Sequence, residues 1–147
     1  MFTDEYFMNQ ALKEAQKAFE KDEVPVGVVV VCTNRIIARS YNLTETLVDV
    51  TAHAEVQAIT IAANSIGGKY LDECTFYVTV EPCVMCAGAL FWAQAGRIVF
   101  GASDEKRGFS KYSGAILHPR TEIAKSVLEN DCSLLMKRFF AEKRMDQ

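Results

Sequence analysis

An α/β fold, one sheet covered by helices, follows from three features of the sequence: an amphipathic helical segment near the start, a β-branched hairpin, and then strand-like runs alternating with helical ones. With 147 residues, half of them hydrophobic, the chain is expected to form one domain over 1–147. A domain of that size buries about 68 to 70% of its unfolded surface, so neither disulfide nor metal is needed merely to fold.

The first helix is predicted from Phe7, Leu12, Ala15 and Phe19, which recur at helical spacing behind Asp4 and Glu5, acids suited to its positive end. "VGVVVVCTNRIIARSYN" holds two β-branched runs around a turn at Asn34 and predicts a hairpin, both strands buried. A polar loop, "LTETLVDV", leads into "TAHAEVQAITIAAN", an apolar helix with Thr51 as its expected N-cap and "GGK" as its stop. "CTFYVTV" is a strand closed by Pro82, "CVMCAGALFWAQA" a helix, and "RIVFGA" the next strand. "SDEKRGFSKYSGAILHPR" reads as a loop with a helical turn, and "TEIAKSVL" as a weaker strand. A last helix, "ENDCSLLMKRFFAEKRMDQ", is expected to carry Leu134, Leu135, Phe139 and Phe140 on its apolar stripe.

A formal net charge of −3 offers no general basic excess, so phosphate contacts must come from local clusters. The longest apolar run, "VPVGVVVVC", is far short of the ~20 residues of a membrane span. The first residues are acidic and amphipathic where a signal peptide is basic and then apolar, and the five cysteines are odd in number and unevenly spaced. The expected compartment is the reducing cytoplasm. Cys32, Cys74 and Cys132 read as isolated structural thiols.

"EPCVMC" puts Cys83 and Cys86 in the first turn of a helix, where free N–H groups favour thiolates. Alone, that pair also admits a redox dithiol of thioredoxin type. His53 supplies a third ligand, and three protein ligands with one open position are what a catalytic zinc requires. Glu55 then has a use, taking a proton from water activated on the ion and delivering it to a substrate nitrogen. Residues i and i+2 diverge on a regular helix, so His53 must sit just outside it if both are to face the metal.

His-Ala-Glu at 53–55, followed thirty positions after the histidine by Pro-Cys-x-x-Cys, is the signature of zinc nucleobase deaminases. The chain resembles the cytidine deaminase superfamily and, through "VPVGVVVV", "TAHAEVQAI", "TVEPCVMCAGAL" and "RIVFGASDEKRG", its bacterial tRNA adenosine deaminase branch. That resemblance implies a three-layer α-β-α sandwich with a central five-stranded mixed sheet, a homodimer, and conversion of the wobble adenosine of a tRNA anticodon loop to inosine. It implies one Zn²⁺ per chain on His53, Cys83 and Cys86, with Glu55 as proton shuttle. Asn42, Asp104 and the Ala54 amide are implied substrate contacts. "MKRFFAEKRM" and "DEKRGFSK" offer Phe139, Phe140, Arg144, Lys106 and Arg107 as candidate RNA contacts. The sequence departs from many bacterial relatives in the short "AILHPRTEI" before the last strand, so no role falls to His118.

Two other readings stay open at this level. The same zinc chemistry could serve a free base or nucleoside such as guanine, cytosine or cytidine. A dithiol protein using Cys83 and Cys86 would leave His53 and Glu55 without a task.

Overall fold

The structure, a computed structural model, describes residues 1–112 and 115–146. Ser113, Gly114 and Gln147, in the predicted loop and at the end of the predicted last helix, lie outside the described residues. The elements run α1 (Asp4–Glu20), β1 (Gly27–Cys32), β2 (Arg35–Tyr41), α2 (Ala54–Ile66), β3 (Cys74–Val80), α3 (Val84–Ala93), β4 (Arg97–Ala102), a 3₁₀ turn (Phe109–Lys111), β5 (Glu122–Ala124) and α4 (Glu129–Met145).

The five strands form one mixed sheet in the order β2-β1-β3-β4-β5. β1 is antiparallel to both β2 and β3, whereas β3, β4 and β5 are parallel. Successive side chains of a strand point to opposite faces, and β1 divides its valines accordingly. Val28 and Val30 pack with Ala54, Ala58, Ala87 and Leu90 of α2 and α3. Val29 and Val31 pack with Phe7, Met8 and Ala11 of α1 and Cys132 of α4. The result is the expected three-layer α-β-α sandwich. No helix among the described residues is long and apolar enough to cross a membrane.

Local chemistry sets the joints. Thr33 and Asn34 both have positive φ, 51° and 60°, as a two-residue type I′ hairpin turn requires. Thr3 caps α1 by accepting from the Tyr6 N–H at 3.1 Å. Gly67 ends α2 in the left-handed region.

Four expectations need correction. β2 is an edge strand with exposed Arg35 and Arg39, so only β1 of the hairpin is buried on both faces. β5 has three residues, because only Glu122–Ala124 pairs with β4. On α4 the buried stripe is Cys132, Leu135 and Phe139, while Leu134 and Phe140 are exposed. Cys32 and Cys74 are not isolated: they face each other across β1 and β3 with their sulfurs 3.0 Å apart.

Candidate active site

The start of α2 brings the histidine and the carboxylate together. His53, not Thr51, is the N-cap: its backbone is extended at φ −68°, ψ 153°, and Thr51 instead donates its N–H and hydroxyl to Asp49 Oδ1, both at 2.8 Å. Because His53 stands outside the helix, its imidazole can turn to the same side as Glu55 on the first turn. β2 holds this joint in place. Ser40 Oγ donates to the Ala54 carbonyl at 2.6 Å, and Gln57 Nε2 donates to the carbonyls of Tyr41 at 2.9 Å and Ala52 at 3.0 Å.

The second wall is the start of α3. Pro82 closes β3, Cys83 is the helix N-cap and Cys86 lies in the first turn. His53 Nδ1 stands 3.7 Å from Cys83 Sγ and 3.5 Å from Cys86 Sγ, and the three ligand atoms all lie within 4.8 Å of one another. A tetrahedral zinc with Zn–S of about 2.3 Å and Zn–N of about 2.0–2.1 Å separates nitrogen from sulfur by about 3.6 Å. Both His53–sulfur separations therefore match one such ion, and the three side chains are grouped as its ligands would be.

Residues 1–102 match the family model described as the cytidine and deoxycytidylate deaminase zinc-binding region. The chain belongs to this deaminase family. A tRNA-specific adenosine deaminase of Bacillus subtilis (strain 168) is 43% identical over 149 residues, covering 98% of this chain and 92% of that protein. One of Agrobacterium fabrum is 41% identical over 146 residues, covering 96% of each. A structure from studies of A-to-I editing by tRNA:A34 deaminases at the wobble position has a TM-score of 0.83 at 39% identity, with 88% of this chain and 98% of that chain covered. The guanine deaminase of Nitrosomonas europaea has a TM-score of 0.84 at 21% identity over 96% of this chain and 86% of its own, a likeness of fold alone.

In this zinc-binding deaminase the ligand thiols divide one proton unequally. Hydrogen bonding from Cys86, and then from His53, holds the Cys83 thiol down to about 4, while the Cys86 thiol is raised by its hydrogen bond to Cys83 and by burial. A dication held there would deprotonate both. His53 is raised, chiefly by its hydrogen bond to Cys83. Burial pushes the Glu55 carboxyl up to about 7, a value suited to a group that must both take and give a proton near neutrality.

His53, Glu55 and Cys83 open onto a cleft of about 1000 Å³, and Asn42, Ala54 and Asp104 line it too. Asn42 is buried, and its Oδ1 accepts from the Thr44 N–H at 3.3 Å. The Ala54 N–H belongs to the first turn of α2, where N–H groups have no intrahelical acceptor. Glu105, Lys106 and Arg107 of the loop after β4 line the cleft, as do Lys137, Phe140 and Arg144 of α4. Phe139 does not belong with them: it is buried, edge-on to Phe19 at 5.9 Å, and no base can reach its face. Lys143 is likewise turned away, bonded to Asp22.

Two buried carboxylates beside the site, of which only Glu81 lines the cleft, escaped sequence reasoning. Glu81 and Glu23 are carboxylates at 5% and 0% exposure, each accepting backbone N–H groups of a cleft loop. Their only signal is an acid set beside a valine, within two residues of a proline, at the edge of an apolar run, in "DEVP" and "VEP".

Proposed function

We propose that this protein hydrolytically deaminates the wobble adenosine of a tRNA anticodon loop to inosine, as one domain over 1–147 working in the cytoplasm. The observation that carries the reading is a buried carboxylate beside a His-Cys-Cys metal site in a cleft that Lys106, Arg107, Lys137 and Arg144 also line. Catalysis on a free base has no use for those cations, whereas a polynucleotide brings its phosphates directly to them. Relatives named tRNA-specific adenosine deaminase across nearly the whole chain support the same substrate.

His53, Cys83 and Cys86 would hold the ion, which when bound would supply a Lewis acid that lowers the pKa of water to about 7. Glu55 takes one proton from the attacking water and delivers it to N1 of the adenine as C6 becomes tetrahedral. It then carries the second proton of that oxygen to the departing amine, so that the C–N bond breaks, C6 becomes a carbonyl, ammonia leaves and the carboxylate is regenerated. Asn42 and the Ala54 N–H hold the extruded nucleoside, and Asp104 meets the RNA backbone beside it. Phe140, 42% exposed, offers a face for a neighbouring base.

We also assign a homodimer, supported by the outer face of α3, where Val84, Met85 and Trp92 are exposed. The test of the activity is incubation of the zinc-loaded protein with tRNA, adenosine, cytidine and guanine in parallel, followed by mass analysis. Inosine at the wobble position is the expected product. Ammonia from a free base with unchanged tRNA refutes the reading.

A further inference from the structure

Glu81 follows β3 directly, two residues before the metal ligand Cys83, and its carboxylate is bonded to the loop that begins at Asp104. Oε1 accepts from the Asp104 N–H at 3.1 Å, and Oε2 accepts from the Ser110 N–H at 2.9 Å and the Ser110 hydroxyl at 2.5 Å. One carboxylate thus grips both ends of the loop that carries Lys106 and Arg107. Asp104 completes the fold of that loop, its Oδ1 accepting from the N–H groups of Lys106 at 3.1 Å and Arg107 at 3.0 Å.

The grip is built in from both sides. Gly108 pairs with Cys83 in an isolated bridge, and the Phe109 N–H donates to the Pro82 carbonyl at 2.9 Å. A Cβ at Gly108 would lie 2.3 Å from Glu81 Cδ and 2.5 Å from the Asp104 carbonyl oxygen, so glycine is what lets the carboxylate pass beneath the loop. Lys106 and Arg107 are exposed while their backbone is fixed. A cationic loop held in one conformation loses less freedom on meeting phosphate than a loose one.

We propose that Glu81 is a positioning residue for polynucleotide binding: it latches the 104–110 loop to the metal-bearing end of β3 and so fixes Lys106 and Arg107 at the register that phosphates of the substrate require. This rests on the RNA substrate proposed above. A carboxamide has a single acceptor oxygen, and its NH₂ would face a donor, so Glu81→Gln frees one end of the loop without removing bulk.

The experiment measures binding and turnover of an anticodon stem-loop RNA with adenosine at the wobble position, using zinc-loaded wild type, Glu81→Gln and Gly108→Ala. Between about 50 and 200 mM salt, the slope of log K against log salt becomes shallower in both variants by about 0.7 for each phosphate the loop no longer neutralises. KM rises by about fivefold or more, a larger factor than the fall in kcat, and zinc stays at one per chain. Gly108→Ala reaches the same latch without touching Glu81, so the proposal stands or falls even if Glu81→Gln does not fold. An unchanged slope and KM in the variants, or zinc loss with kcat falling at constant KM, overturns it. A wild type that neither binds the RNA with a salt-dependent affinity nor deaminates it defeats the substrate reading instead.

Discussion

A carboxyl in an apolar setting resists ionisation, and Glu55, at 4% exposure, is displaced upward by burial before any neighbour acts on it. The same burial that makes it expensive as a structural acid makes it useful as a proton carrier. Glu55→Gln keeps the shape and leaves the three ligands intact, so it should retain one zinc per chain while kcat falls by about 10²- to 10⁴-fold. Elemental analysis beside a deamination assay checks both halves, and full activity in the glutamine variant would remove Glu55 from the mechanism. His53→Ala, Cys83→Ala and Cys86→Ala should behave in the opposite order, losing the metal first and activity with it. The grouping of these four side chains was legible in the sequence because the proposed chemistry fixes residue type and spacing together. Glu81 and Glu23 were not, since a buried acid is identified by the N–H groups around it, and those come from residues 22 and more positions away in the chain.

Between elements, the tie of α1 to the sheet is an electrostatic joint. Asp4, in the first turn of α1, accepts from Arg97 at 2.9 and 2.8 Å and from the Tyr77 hydroxyl at 2.7 Å. The Arg97 guanidinium holds the Asp4 carboxyl below its usual value, so the folded state favours the ionised form. That contribution is complete above the unfolded value of about 3.9 and fades as pH falls through the lower folded one. Asp4→Asn should cost about 1 kcal/mol at neutral pH and progressively less below about pH 4; urea unfolding at both ends measures it, and an equal gap at both excludes this origin. A steric joint lies beside it. A Cβ at Gly27 would stand 2.1 Å from the Ala11 carbonyl oxygen and 2.4 Å from the Ala15 nitrogen, so Gly27→Ala must push α1 off β1 and should lower stability by about 1–3 kcal/mol. Elements of this kind were readable where periodicity is strong: β3 and β4 occupy the predicted spans residue for residue. The misses share a cause, which is that the neighbour decides. β2 is as β-branched as β1 at Ile36 and Ile37 but sits at an edge, and Thr51 has a capping side chain but Asp49 engages it. Phe139 and Phe140 are adjacent and alike, and only the position of Phe19 on α1 decides which one is buried.

At the scale of the whole molecule, α3 has two faces with different tasks. Cys86, Ala87 and Leu90 turn inward to the candidate metal site and the core, while Val84, Met85 and Trp92 turn outward at 48%, 37% and 77% exposure. Gly88 between them has open space around its Cα, with no atom within 4 Å of an added Cβ, so a second surface can approach the helix closely. Apolar side chains clustered on one helix face mark an interaction surface, and a large aromatic near the centre of such a patch is the residue type that dominates interface energies. In the proposed homodimer Trp92 is then the anchor. Trp92→Glu places an unpaired charge there and should convert the dimer to monomer at micromolar concentration, a shift of more than about 2 kcal/mol. Sedimentation velocity of the zinc-loaded proteins reads the result directly. Because Trp92 is exposed and points away from buried Cys86 on α3, zinc content should stay at one per chain in the variant, which separates loss of the partner from loss of the fold. A wild-type protein that sediments as a monomer, or a Trp92→Glu variant that still dimerises, would move the interface away from α3.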